Sequence, residues 1–421
     1  MPNSAIDPPE LERRVGIRCY RSSVPGIGGS IKTQPEDFMV SEVSDIPADP
    51  EGPHVVFTLR KRRWDTMGAL IRLGRELGVA MQAFGFAGNK DRQAVTEQKV
   101  SLMGVEPDKL LALSIPGIKV VDVYRTRRKI KLGMLRGNRF TIVLRDIPEP
   151  EGLGERLDTI EEQLGGVAPN YLGIQRFGAS RPNNHLVGKA LVKGDLEGAL
   201  AEFLWADHPN EAPRSREARA ELAKDRDFEG ALERFPYGLT YERAMLRELS
   251  RGRPPAAAFR VIPKKLLRLL IHAYQGLLFN RILSLRIEQG MPLDEPVKGD
   301  ILLIGWKTIP VDDENIDRLT RICHAGKASV SLPLPGSKTT LATGEPGELE
   351  RKVIEEEGTD LSLFSSCISS SEGTRRAAIV RYEDLSSELD PDERTVTLKF
   401  FLTKGAYATN VVREFIKGPV W

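Results

Sequence analysis

Residues 84–102 read FGFAGNKDRQAVTEQKVSL. The first five, Phe84-Gly85-Phe86-Ala87-Gly88, alternate bulk with glycine, as a short buried strand does where a neighbouring backbone runs close. Gly88 and Asn89 both tolerate positive φ and supply turn chemistry. From Val95 to Leu102 a second strand is expected, with Thr96, Gln98 and Ser101 as small polar side chains that hydrogen-bond locally. The segment is thus a strand-turn-strand unit with Lys90, Asp91 and Arg92 at its tip. Cations beside a carboxylate favour its charged form, and an ionised carboxylate at a tip suits a nucleophile. An ordinary charged surface turn has the same composition. A phosphate-binding loop is excluded, because residues 85–90 lack the closing Gly-Lys-Ser/Thr.

At 421 residues the chain exceeds one compact core, and two or three domains are expected. Hydrophobic content of 40% and charged content of 29% describe a soluble globular protein. No apolar run approaches the roughly 20 residues of a membrane helix, and the opening MPNSAIDPPELERR lacks the apolar core of a signal peptide. A cytoplasmic protein is the expectation, with no membrane association. Cys19, Cys323 and Cys367 are far apart and never form a C-x-x-C pair, which fits a reducing compartment and disfavours a cysteine-built zinc site. The five histidines show no metal-ligand spacing, so no metal is expected.

A net charge of +2 identifies no partner, but the distribution of charge is informative. Arg125, Arg127, Arg128, Lys129, Lys131, Arg136 and Arg139 follow one another with no acid among them. A second basic run, Arg60-Lys61-Arg62-Arg63, precedes Trp64, while acids gather at 149–162 and 355–357. Such segregation points to a basic face for a polyanion. Cations that blunt strand edges would give the same pattern.

Elsewhere, residues 31–43 alternate around Phe38, Val40 and Val43 as a half-buried strand, whose first part Pro35 confines to an edge or a turn. A strand over 54–61 leads to a helix over 67–77, capped by Asp65 or Thr66 and ended by Gly78. A short helix at 107–113, strands at 119–125 and 139–147, a linker or helix lead-in at 149–154 and a helix at 157–164 follow. Residues 180–260 have helical composition. A long amphipathic helix is expected over 262–290, with Leu266, Leu269, Leu270, Ala273, Leu277 and Leu278 on its buried side. Short strands at 301–304, 329–332 and 377–382, with a helix near 349–357, precede a turn at 390–393. A strand at 396–402 and a helix at 408–416 close the chain.

Several tracts, in order, resemble those of the tRNA pseudouridine synthase D (TruD) family. Lys32, Pro35, Glu36, Asp37, Phe38, Val40 and Glu42 are similar to its K-x-x-P-E-D-F-x-V-x-E tract. Gly88, Lys90, Asp91, Ala94, Thr96 and Gln98 resemble its G-x-K-D-x-x-A-x-T-x-Q tract, which carries the nucleophilic aspartate. Gly137-Asn138-Arg139-Phe140 resembles G-N-x-F. Residues 170–178, NYLGIQRFG, have Leu172 where the family has phenylalanine, and residues 273–280, AYQGLLFN, have Gly276 where it has serine. The closing tract over 400–409 has Ala406 for serine, and Val412-Arg413-Glu414 follows.

The resemblance implies an α+β fold. A discontinuous pseudouridine synthase catalytic domain, 1–168 with 391–421, would hold a mixed, mostly antiparallel sheet. An inserted α/β TRUD domain would span 169–390. It also implies isomerisation of uridine to pseudouridine in tRNA, at position 13 of the D arm, with Asp91 attacking either C1′ of the sugar or C6 of the ring. Lys32 would lie near the aspartate, and Phe38, Phe140 and Tyr407 would wall the pocket of a flipped base. Asn138 would read the uracil edge, since a side-chain amide offers both donor and acceptor. Arg62, Arg63, Arg127, Arg128 and Lys129 would hold phosphates, and Gln175 and Arg176 would either contact phosphate or serve as buried hinges. The rearrangement has no net redox change and needs no ATP, so no cofactor is expected, and no obligate protein partner is evident. A non-catalytic RNA-binding protein or tRNA chaperone on the same scaffold is the alternative. A methyltransferase would need a strand-GxGxG-helix unit, and none appears.

Overall fold

A computed structural model describes residues 6–148, 151–178, 180–366 and 368–420. Glu149 and Pro150 of the expected linker, and Cys367, lie outside the described residues. The chain divides into two compact units: Arg21–Ala168 with Val380–Val420, and the segment ending at Tyr20 with Pro169–Ile379. The strands in chain order are β1 (Phe38–Val43), β2 (His54–Arg62), β3 (Phe84–Phe86), β4 (Val95–Met103), β5 (Ile118–Thr126), β6 (Gly137–Leu144), β7 (Val167–Pro169), β8 (Ile301–Ile304), β9 (Lys307–Pro310), β10 (Ser329–Leu334), β11 (Thr374–Ala377), β12 (Ile379–Asp390) and β13 (Thr395–Thr403).

The first unit is built on a sheet of order β5-β2-β4-β1-β6-β13-β12-β7, with β3 also paired to β4. β1 and β4 run parallel, Met39 opposite Val95 and Ser41 opposite Glu97. The pairs β1–β6, β6–β13, β12–β13, β2–β4, β2–β5 and β3–β4 are antiparallel. Because β2 covers the whole of one edge of β4, β1 and β3 must share the other edge end to end.

A helix over Thr66–Leu77 buries Ala69, Leu70 and Leu73 against Phe57, Leu59, Phe84 and Val100. Asp65 caps it by accepting from the Gly68 amide at 2.8 Å, and Gly78 ends it in the left-handed conformation at φ 67°. The strand expected from residue 31 begins only at Phe38, because Pro35–Asp37 forms a 3₁₀ turn in which Asp37 accepts from the Gln34 amide at 2.9 Å. The strand expected over 139–147 spans Gly137–Leu144, so Asn138 lies within it rather than in a preceding turn. The helix expected from 157 already starts at Leu153.

The second unit holds a sheet of order β11-β10-β8-β9, all antiparallel, and a helical core that includes Val187, Leu191, Leu204, Leu246, Phe259 and Leu270. Its longest helix, Lys264–Glu288, departs from the expected amphipathic pattern. It is buried all round from Ala273 to Asn280, whereas Leu269 is 38% exposed.

The partition departs from the sequence reading at two places, the opening 20 residues and the limit at 390. Residues 382–390 hydrogen-bond along β13 and so belong to the first sheet. The opening segment packs on the long helix: Asn280 Nδ2 donates to the Val15 carbonyl and Ser284 Oγ to the Gly16 carbonyl, each at 2.9 Å.

Candidate active site

Residues directly opposite one another in a sheet present their side chains on the same face. In the first unit this rule gathers the polar and aromatic residues of five strands. Val40 lies opposite Thr96 and Phe140, Glu42 opposite Asn138, Phe400 opposite Phe140, and Lys61 opposite Thr96. Phe38, two residues before Val40, shares that face. So does Gln98, two residues after Thr96.

Residues 87–94 lie over this face. They cannot continue the line of β3, since β1 already occupies that edge of β4. Inward-facing side chains hold the crossing loop from beneath. Gln98 Nε2 donates to the Gly88 carbonyl at 3.1 Å, Gln98 Oε1 accepts from Thr66 Oγ1 at 2.8 Å, and Thr66 Oγ1 in turn accepts from the Lys90 amide at 2.9 Å. Lys61 Nζ donates to the carbonyls of Trp64 at 2.6 Å, Asp91 at 3.0 Å and Lys90 at 3.3 Å. Neither Gly88 nor Asn89 adopts positive φ.

Lys90, expected on an exposed tip, points down into the sheet. Its Nζ is 3.2 Å from Glu42 Oε2 and donates to Asn138 Oδ1. Burial pushes the Lys90 ammonium below the usual lysine range, against the opposing pull of Glu42. Burial also brings Lys61 down to about 8.

Asp91 is left facing outward, with its side chain 52% exposed. Lys32 Nζ donates to its Oδ2 at 3.0 Å and stands 4.3 Å from the centroid of the Phe38 ring. Lys32 itself has φ 57°, unusual for a residue with a side chain. Phe38 meets Phe140 edge to face at 6.0 Å, and Phe140 stacks on Phe400 at 5.5 Å. The three rings are buried. Lys32, Phe38, Asp91, Asn138 and Phe140 are therefore brought together as the sequence implied. Tyr407 stands before the helix Ala408–Ile416, 51% exposed, and its ring makes no hydrogen bond, ion pair or ring contact with this cluster among the described residues.

The basic runs are less uniform than their composition. Along β2 side chains alternate, so Lys61 is 1% exposed while Arg60 and Arg62 face outward. Lys61 therefore takes no part in the basic face that the 60–63 run suggests. Arg62 is bound to the Glu36 carboxylate, Arg127 pairs with Asp49 at 2.5 Å, and Lys129 Nζ donates to the Gln82 carbonyl at 2.6 Å. Arg63 and Arg128 are exposed and make no ion pair among the described residues. In the second unit Gln175 and Arg176 are exposed within the 3₁₀ turn Ile174–Arg176, between buried Ile174 and Phe177, so they are not buried hinges.

The sequence carries a signal for Lys61 that composition hides: it continues the inward series Val55, Phe57, Leu59. Chemically, the cluster offers an accessible carboxylate on a fixed backbone with one amine at hydrogen-bond distance, an arrangement suited to a nucleophile. Among the described residues, no group of His, Cys, Asp or Glu is arranged to hold a metal ion, and no helix is long and apolar enough to cross a membrane.

A family model described as tRNA pseudouridine synthase D (TruD) matches residues 14–415. A Methanosarcina acetivorans protein described as a probable tRNA pseudouridine synthase D is 35% identical, over 98% of each chain. A Methanopyrus kandleri protein of the same description is 42% identical over 87% of this chain and 86% of its own. A crystal structure described as that of the putative tRNA pseudouridine synthase D from Methanosarcina mazei superposes with a TM-score of 0.90 at 35% identity, covering 97% of this chain and 98% of that one. Matched along nearly its whole length in sequence and in fold, the chain belongs to the tRNA pseudouridine synthase D (TruD) family.

Proposed function

We propose that Asp91 is the nucleophile with which this tRNA pseudouridine synthase converts uridine 13 of the D arm to pseudouridine. The reaction breaks the N1–C1′ bond, joins C1′ to C5, removes the proton from C5 and leaves one on N1. The observation that carries the reading is the accessible Asp91 carboxylate, 3.0 Å from Lys32, on a loop held from beneath by the sheet. The carboxylate adds to C1′ or to C6, and Lys32 stabilises its charged form in either route. A uridine must leave its stack to reach it. Phe38 and Phe140 then form the wall behind the base, and the exposed ring of Tyr407 closes over it. Lys90 already occupies Asn138 Oδ1, which leaves the Nδ2 donor for a uracil carbonyl. Arg62 and Arg63, beyond one end of the β2–β5 pair, and Arg127, Arg128 and Lys129, beyond the other, attract the phosphates, and Gln175 and Arg176 are each given a phosphate contact of their own. The D-arm position rests on the family resemblance.

The test is incubation of the purified protein with unmodified tRNA, without added cofactor, followed by mapping of pseudouridine at nucleotide resolution. Asp91→Asn is expected to abolish conversion and to leave tRNA affinity within a few-fold of wild type. Conversion by the variant would reject Asp91, and modification at another nucleotide would reject position 13.

A further inference from the structure

Lys61 is a buried cation of the first unit with no acid at ion-pair distance among the described residues. Its side chain is 1% exposed. An ammonium removed from water without a counter-ion is costly unless oriented dipoles replace its solvation. Here three backbone carbonyls do so, those of Trp64, Lys90 and Asp91. The last two belong to the peptide groups immediately before and after the Asp91 Cα. Fixing both peptide planes fixes φ and ψ of Asp91, and with them the direction in which its carboxylate leaves the backbone.

We propose that Lys61 is a positioning residue: in its protonated form it locks both peptide groups that flank Asp91, and loss of the proton releases the loop and slows turnover. The inference rests on Asp91 being the nucleophile. An ammonium has three N–H donors for three carbonyls. A neutral amine has two and turns a lone pair toward the third carbonyl, so one anchor is lost on deprotonation. Burial is the dominant influence on Lys61 and sets its proton affinity at about 8, within reach of ordinary assay conditions. The charged groups facing it are Asp65 at the helix cap and Asp91, which hold the proton on, and Lys90, which drives it off. The residues opposite it on β4 and β5, Thr96 and Ile118, carry no charge.

The experiment measures single-turnover pseudouridine formation from about pH 6.5 to about 9.5, with tRNA affinity determined at each pH, for the wild type and Lys61→Met. The wild-type rate is expected to fall above pH about 8 while affinity changes little. Lys61→Met, which keeps the length of the side chain but no donor, is expected to be slower by about tenfold or more at neutral pH and to lack that falling limb. A limb of unchanged midpoint in Lys61→Met assigns the titration to Lys90 or to the substrate and overturns the proposal, as does a variant of wild-type rate. Should Lys61→Met not fold, hydrogen exchange of the wild-type Lys90 amide, corrected for intrinsic pH dependence, decides instead. Loss of protection through pH about 8 supports the anchor, and constant protection overturns it. That exchange result stands whether or not Asp91→Asn is inactive, so failure of the nucleophile assignment and failure of the anchor are told apart.

Discussion

Lys32→Met removes a charge and little else, and its effect can be worked out from two distances. Lys32 Nζ lies 3.0 Å from Asp91 Oδ2 and 4.3 Å above Phe38, with side-chain exposures of 18% for the lysine and 52% for the aspartate. At 3 Å the bare attraction is about 1.4 kcal/mol in bulk water and about 5.5 kcal/mol at an effective dielectric constant of 20. In the free enzyme the half-exposed aspartate keeps the pair near the first limit, and side-chain entropy and salt reduce its net worth to about 0–1 kcal/mol. The cation over the ring adds about 0.5–1 kcal/mol. Methionine preserves the apolar contact with Phe38, so the free protein should lose about 1 kcal/mol, or about 2–4 °C in melting temperature. A flipped nucleoside changes the balance. It expels water from Asp91, and the missing cation then costs about 1.5–3 kcal/mol in the transition state, a rate loss of about 10- to 100-fold. Single-turnover formation of pseudouridine at saturating enzyme, read beside a thermal melt, separates the two effects. A rate within about twofold of wild type would refute the electrostatic argument. So would a slow enzyme whose stability had dropped by more than about 3 kcal/mol, since collapse of the fold would then explain the loss.

Three further perturbations test other parts of the structure. Lys90→Met strands the Glu42 carboxylate in the sheet and should cost about 3–5 kcal/mol in chemical denaturation; adding Glu42→Gln should restore at least half, and an unimpaired single variant would deny the ion pair any structural weight. Tyr407→Ala should leave stability within about 0.5 kcal/mol yet reduce kcat/KM about tenfold, with Tyr407→Phe close to wild type; an unaffected alanine variant would remove Tyr407 from the pocket. His185 in the second unit is buried, its Nδ1 without a hydrogen bond among the described residues, and burial brings it down to about 4 from 6.5. The folded chain thus binds this proton less readily than the unfolded one. Stability is fully present above pH 6.5 and is lost as the pH falls toward about 4, by about 3 kcal/mol in all. His185→Gln should flatten the denaturation midpoint across that window, and an unchanged slope would assign the titration elsewhere.

Local signals in the sequence were read correctly where the cause is local. The Asp65 cap, the Gly78 stop and the helix Ala408–Ile416 all follow from neighbours in the chain. The strand-loop-strand unit around Asp91 was equally legible. The loop's path was not, because it depends on β1 and β3 sharing one edge of β4, a pairing between segments far apart in sequence. Charge alone places Lys90 at an exposed tip and Lys61 within a basic run, although strand parity points Lys61 inward. The apolar pattern of β12 stops at Tyr382, because its second half is not buried on either face. Its residues are held by hydrogen bonds to β13, a cause that leaves no apolar pattern. The helix around Ala273 was given one buried face because its flanks are amphipathic, whereas its middle is enclosed on every side.

The crossing loop hangs from Gln98 of β4 and Lys61 of β2, strands in the interior of the sheet rather than at its rim. Heating therefore has no easy way to slacken Asp91 while the rest of the unit stays whole. Many enzymes fade several degrees before they unravel, as mobile active-site loops come loose first. This one should keep working until its scaffold gives way, with the curve of lost activity lying on top of the curve of lost structure.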